Sequence, residues 1–152
     1  TTLLPISTYL PKHLVSFQGH LMTAQTKIAL EALYWQAHEL YLEMVVVSAY
    51  RSLHDSLQIK KRYPEHYPFD CHEDYHQAGI CVDLLDERKD YLHYANSPLY
   101  LYLKHKGPAF GLIQPEEKCP WHYQFVGRGL ALFYHDHPDE PLPLHLMTSP
   151  LY

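Results

Sequence analysis

The spacing of apolar and polar positions divides the chain into a short series of helices and strands. Over residues 23–43 the pattern is helical: Ile28, Ala32, Leu33, Gln36, Ala37 and Leu40 fall on one face at three- and four-residue steps, with Thr23 as N-cap. Val45, Val46 and Val47 form a β-branched run that predicts a buried strand. That strand ends at Ser48 and delivers Tyr50 and Arg51 at its end. Residues 52–63 predict a helix, stopped by Pro64, and residues 63–75 a loop with two prolines. A second strand is predicted over residues 80–85, with Cys81 and Asp83 on one face and Ile80, Val82 and Leu84 on the other. A helix opens near Ser97 and Pro98 and closes near Gly107, followed by a short strand or turn over residues 110–113. In WHYQFVG, Trp121, Tyr123 and Phe125 alternate with His122 and Gln124, which predicts a strand with its aromatics toward the core.

Helix, strand, helix, strand, helix, strand, with few and short strands, predicts an α+β domain: helices packed on a small, mostly antiparallel sheet. The 152 residues suit one domain spanning residues 1–152, large enough to bury a core without disulfides. Residues 1–20 carry Pro5, Pro11 and Gly19 and read as an irregular arm. Residues 138–152 carry Pro138, Pro141, Pro143 and Pro150 and read as an extended tail on the surface.

Composition narrows the function classes. The net charge is −5 and no basic stripe occurs, which argues against nucleic acid and anionic membranes as partners. No segment is long or apolar enough to span a membrane, and TTLLPISTYLPKH lacks the basic start and apolar core of a signal peptide. A leader removed earlier would leave no trace, so the compartment stays open. A monomer is expected. The chain is rich in tyrosine (14) and histidine (13); tyrosine is common where extended polar substrates bind, and histidine raises the chance of a metal site. His105, His135, His137 and His145 lie in polar or Pro-rich contexts and are expected on the surface. Three cysteines, Cys71, Cys81 and Cys119, are too few for a disulfide framework.

His76, Asp83 and His122 stand out because local patterning does not account for them. An acid on an otherwise apolar strand is costly to bury unless paired or bound to metal. Two imidazoles and one carboxylate are a sound donor set for zinc, and three protein ligands leave a fourth position for water. Ordinary polar strand ends and hydrogen-bonded histidines are the alternative.

SAYRS, HQAGICVD and PWHYQFVG, in that order, resemble the three signature blocks of the zinc D-alanyl-D-alanine carboxypeptidases and dipeptidases. This is the VanX/VanY-like peptidase family M15, which shares its fold with the hedgehog signalling domain. The family pattern reads S-x-x-R, S-x-H-x-x-G-x-A-x-D and E-x-W-H, and the match runs from about Val45 to Gly127. The resemblance implies zinc held by His76, Asp83 and His122, with Arg51 contacting substrate and stabilising charge on the scissile carbonyl, which suits a two-pronged guanidinium. Ser48 corresponds to the block's serine, for substrate binding or turn geometry, and Trp121 to a tryptophan supporting the cleft. The implied substrate is a peptidoglycan stem peptide ending in D-Ala-D-Ala or similar. The implied setting is periplasmic, secreted or phage-delivered.

The departures from the pattern are specific. Asp74 replaces the S-x-H serine at a substrate-binding position, Cys81 replaces the alanine, and Gln58 is displaced by two from the usual glutamine. Cys119 replaces the acid that serves the family as general base. Four readings of Cys119 stand: a weakened or inactive enzyme retained as a zinc-containing peptidoglycan-binding or structural domain; a fourth zinc ligand; a base supplied instead by Glu116, Glu117 or Asp74; or an engineered change or a half-cystine with Cys71 or Cys81. The function expected is therefore a zinc peptidase of the D,D-carboxypeptidase kind, with the non-catalytic binder as alternative. A protein-interaction module, as in the hedgehog branch, is a weaker third.

Overall fold

The computed structural model describes residues 3–5, 11–52, 76–141 and 146–148, with positions 54, 55, 58 and 61 between them. Along the chain run β1 (Leu3–Pro5), β2 (Val15–Phe17), β3 (His20–Met22), α1 (Ala24–Glu39), β4 (Val45–Ser48), β5 (Cys81–Leu85), α2 (Pro98–Lys106), β6 (Leu112–Ile113), β7 (His122–Phe125), α3 (Arg128–Asp136) and β8 (Leu146–Thr148). The central sheet has four antiparallel strands in the order β4-β5-β7-β6. The architecture is α+β with a small antiparallel sheet, as the residue pattern predicts. The described positions 54, 55, 58 and 61 of the helix predicted over 52–63 are helical.

One face of the sheet meets α1 and α2. Val82, Leu84, Trp121 and Tyr123 pack into one core with Leu30, Leu33, Leu99 and Leu103. Phe125 packs against its edge. The Tyr94 and Tyr123 hydroxyls, both in this core, bond to each other at 2.6 Å, so neither polar tip is left without a partner. Burial pushes both hydroxyls above their ordinary pKa.

Helix α1 starts as expected, with Thr23 Oγ1 accepting the Thr26 N–H. Its buried stripe differs from the predicted one: Thr26, Ala29, Leu30, Leu33 and Ala37 face inward, while Ile28 is 70% and Leu40 57% exposed. At about 100° per residue, the inward face is centred on Leu30 and Leu33, which turns Ile28 to solvent. The helix also stops before Glu43. Tyr41 adopts φ +61°, and the Leu42 N–H folds back to the Ala37 carbonyl at 2.9 Å, closing the C-terminus. Glycine fills this left-handed position without steric cost. Tyr41→Gly is therefore expected to stabilise the fold by about 1 kcal/mol, seen as a higher urea midpoint at unchanged slope.

The described parts of both chain ends include short strands. β2 and β3 form a hairpin over Gln18 and Gly19, both at positive φ, as a two-residue primed turn requires. The Gln18 side chain then brackets β4, donating to the Met44 carbonyl and accepting the Val46 N–H. β1 pairs antiparallel with β8, so described parts of the two termini form a small sheet of their own. α3 follows Gly127 without a side-chain cap and buries only Ala131 fully.

Candidate metal centre

Every strand of the site is placed by register. In β5–β7 pairing, Asp83 lies directly opposite His122 and Cys81 opposite Gln124. β4 carries a bulge: Val46 faces Leu84, yet Ser48 faces Asp83, so Val47 is the extra residue. A bulge of this kind re-aims side chains beside a site; here it sets Ser48 across from the carboxylate.

His76 comes from outside the sheet, on a single 3₁₀ turn, His76–Ala78. Its Nδ1–H donates to the Ala49 carbonyl just past β4 at 2.6 Å, and its own carbonyl accepts the Arg51 N–H at 3.4 Å. Gly79 closes the turn at φ +72°. A Cβ there would lie 3.0 Å from Leu14 Cδ2 and 3.3 Å from Thr23 Cγ2, and the Gly79 carbonyl already accepts the Thr23 N–H. Strain in φ and crowding act together, so Gly79→Ala is expected to cost about 1–3 kcal/mol. Denaturant titration measures that loss, and a fall in metal affinity would show that the displaced turn carries His76 with it.

The three side chains converge. His122 Nδ1 lies 3.0 Å from Asp83 Oδ1, and His76 Nε2 lies 3.3 Å from the same oxygen. One donor atom from each residue falls within 4.8 Å of the other two, and the imidazole centroids are 5.1 Å apart. All three residues are buried, at 1%, 7% and 5% exposure for His76, Asp83 and His122. Burial by itself would raise the Asp83 pKa. The His76 charge and hydrogen bonds from His122 and His76 outweigh it and hold the carboxyl below the usual range. For His122, burial disfavours the charged ring, but Asp83 and the neighbouring Cys81 sulfur push its pKa up to about 9. One carboxylate between two imidazoles is a donor set that a divalent cation can bind. The donor chemistry suits zinc, and the His76–Ala49 bond fixes the tautomer that turns Nε2 toward the cluster.

The other residues singled out from sequence fall as follows. Ser48 and Arg51 are half-buried, Ser48 opposite Asp83 and Arg51 bonded through its backbone to His76. Trp121 is buried in the core, its ring edge against Tyr91. Gln58 and Glu117 are exposed and Glu116 is half-buried. His105, His135 and His137 are exposed. Asp74, Cys71 and His145 lie outside the described residues. Cys119 is fully buried and disulfide-bonded. Cys81 is a reduced, buried thiol, so the Cys81–Cys119 bridge considered from the strand faces is not formed. Cys119 is also not among the residues that converge for a metal. Gln124, buried on the His122 face of β7, carries no functional motif in the sequence. Its signal there was only that it shares the His122 face of the strand.

A cavity of about 350 Å³ lies elsewhere, between α2 and α3, lined by Leu103, Leu112, Tyr123 and Tyr134 among others. Among the described residues, its lining brings together no group of metal-ligating side chains like that of His76, Asp83 and His122.

No protein-family model matches the sequence, and no curated protein matches it significantly. Solved structures do match. VanYB in complex with D-alanine-D-alanine superposes with TM-score 0.69 at 20% identity, over 88% of each chain. The LdcB LD-carboxypeptidase, solved to show peptidoglycan recognition, gives TM-score 0.70 at 19% identity, over 91% of this chain and 78% of its own. The fold is that of the VanY-type zinc peptidases. A variant of the vancomycin-resistance D,D-pentapeptidase VanY in complex with Zn(II) likewise gives TM-score 0.70 at 20% identity, over 87% of this chain and 88% of its own. Among the described residues, no helix is long and apolar enough to cross a membrane.

Proposed function

We propose that this chain is a zinc-binding member of the VanY-like D,D-peptidase group whose site takes the D-amino-acid end of peptidoglycan stem peptides. The observation that carries this reading is the buried convergence of His76, Asp83 and His122 to within 4.8 Å, in a fold shared with a VanY bound to Zn(II) and a VanYB bound to D-alanine-D-alanine.

His76 Nε2, Asp83 Oδ1 and His122 Nδ1 would hold the metal. When bound, zinc supplies Lewis acidity, drawing charge from a peptide carbonyl and making water acidic enough to attack near neutral pH. The protein's own groups do the remaining work. Arg51, held beside His76 through its backbone, offers a guanidinium fork for a terminal carboxylate or a developing oxyanion. Ser48, opposite Asp83, offers a hydroxyl at the same edge. Asp74 is the third substrate-binding residue by its position in the family pattern. Such a substrate would be met in a periplasmic, secreted or phage-delivered setting, by a monomer.

A second reading has an observation in its favour. Cys119 stands where the pattern calls for the general-base acid, and as a half-cystine it has no proton to exchange. The chain would then bind stem peptide with zinc in place and turn it over slowly or not at all. Metal analysis of purified protein, together with mass spectrometry of a pentapeptide stem after incubation, tests both. One equivalent of zinc with D-Ala release supports the peptidase. One equivalent of zinc with saturable peptide binding and no release supports the binder. Absence of zinc uptake overturns both.

A further inference from the structure

The two imidazoles of the cluster are not equally supported. The His76 Nδ1–H is bonded to the Ala49 carbonyl. His122 has turned its Nδ1 toward Asp83, which leaves Nε2 buried with no hydrogen-bond partner. Two residues along β7, on the same strand face, lies Gln124. It is 1% exposed, and neither its Oε1 nor its Nε2 has a hydrogen bond. A buried carboxamide with both ends unsatisfied is rare and costly. Finding it beside a buried imidazole nitrogen in the same condition makes three unsatisfied polar atoms on one strand face.

Residues i and i+2 of a strand stand on one face about 7 Å apart at their bases. That spacing is within reach of a glutamine and a histidine side chain, directly or through one ordered water. A histidine that ligates a metal almost always donates its other N–H to an acceptor, which fixes the ring and raises its basicity. We infer that Gln124 is the positioning residue for His122, its carboxamide oxygen accepting the Nε2–H when a metal is held at Nδ1. The inference rests on the zinc reading. The competing acceptor is the Cys81 sulfur, the cross-strand neighbour of Gln124.

The assignment makes a paired prediction that a purely structural glutamine does not. Gln124→Leu removes an unsatisfied buried amide, so the metal-free chain is expected to unfold at higher denaturant concentration. The same change strips His122 of its outer partner, so zinc affinity is expected to fall about 10–100-fold, measured by competition with a chromophoric chelator. Gln124→Glu keeps an acceptor oxygen and is expected to retain the affinity; Cys81→Ala is expected to leave it unchanged. In the zinc-loaded native protein, the His122 Nε2–H should appear in NMR spectra as a slowly exchanging proton with a cross-peak to the Gln124 carboxamide, a readout that needs no variant. Unchanged zinc affinity in Gln124→Leu, loss of affinity in Cys81→Ala instead, or a missing cross-peak in the loaded protein each overturns the assignment while leaving the zinc site standing. Failure of the unmodified chain to take up zinc overturns the zinc reading itself.

Discussion

Asp83→Ala is expected to cost the metal-free protein about 3 kcal/mol and to abolish zinc binding. Breaking a buried ion pair by removing one partner typically costs about 3–5 kcal/mol, because the remaining charge stays buried without compensation. The lower end applies here, since an imidazole left without its carboxylate can become neutral, as a guanidinium cannot. Asp83 Oδ1 is the atom that both imidazoles approach, so no other described side chain replaces it. Urea titration in the presence of a chelator measures the stability term, and calorimetric zinc titration the binding term. The same electrostatics set a pH profile for the metal-free chain. The Asp83 pKa is lowered on folding, so its contribution is present above the ordinary value of 3.8 and is lost as pH falls. The His122 pKa is raised from 6.5 to about 9, so its contribution is complete below 6.5 and is lost as pH rises through 9. The urea midpoint should therefore be higher at pH 6 than at pH 9.5. Asp83→Ala should flatten that difference. A wild-type midpoint that climbs from pH 6 to 9.5 would show that His122 is not held as the cation.

Cys119→Glu is expected to release D-Ala from a stem peptide about 10²–10⁴ times faster than Cys119→Ala, the usual range for a positioned acid or base. The comparison with alanine matters. Both substitutions remove the Cys119 disulfide, a loss that itself costs about 2–5 kcal/mol, so only the carboxyl distinguishes them. The His122 N–H bonds to the Cys119 carbonyl at 2.9 Å, which keeps residue 119 tied to the strand that carries His122. Equal rates in the two variants would mean that residue 119 has no access to the reacting atoms, and would favour the binder over the peptidase. A wild-type rate already matching Cys119→Glu would mean that another group supplies the base.

The three residues of the candidate site were legible in the chain. His76, Asp83 and His122 could be singled out because each breaks its local pattern: an acid in a five-residue buried strand, a histidine alternating with core aromatics, a histidine just before a turn glycine. The central elements were legible for the same reason, since β-branched runs, period-two alternation and a threonine cap are local signals. The inward face of α1 was not. Its apolar residues lie nearly all round the helix, and only packing against the sheet selects Leu30 and Leu33 over Ile28. The terminal β1–β8 pair also escaped, because three-residue strands carry too little periodicity to register, and so did α3, whose start no capping side chain marks.

What the amino-acid sequence determined by itself was the donor set and the strand faces that could present it, because side-chain chemistry and the two-residue repeat are properties of the local chain. What only the tertiary structure decided was their meeting. The bulge at Val47, the register that sets Asp83 against His122, and the carbonyl of Ala49 that orients His76 all join residues far apart in sequence. So do the oxidised state of Cys119 and the unsatisfied face shared by His122 and Gln124. Such contacts depend on how separate segments share one buried volume, and no spacing along the chain encodes that.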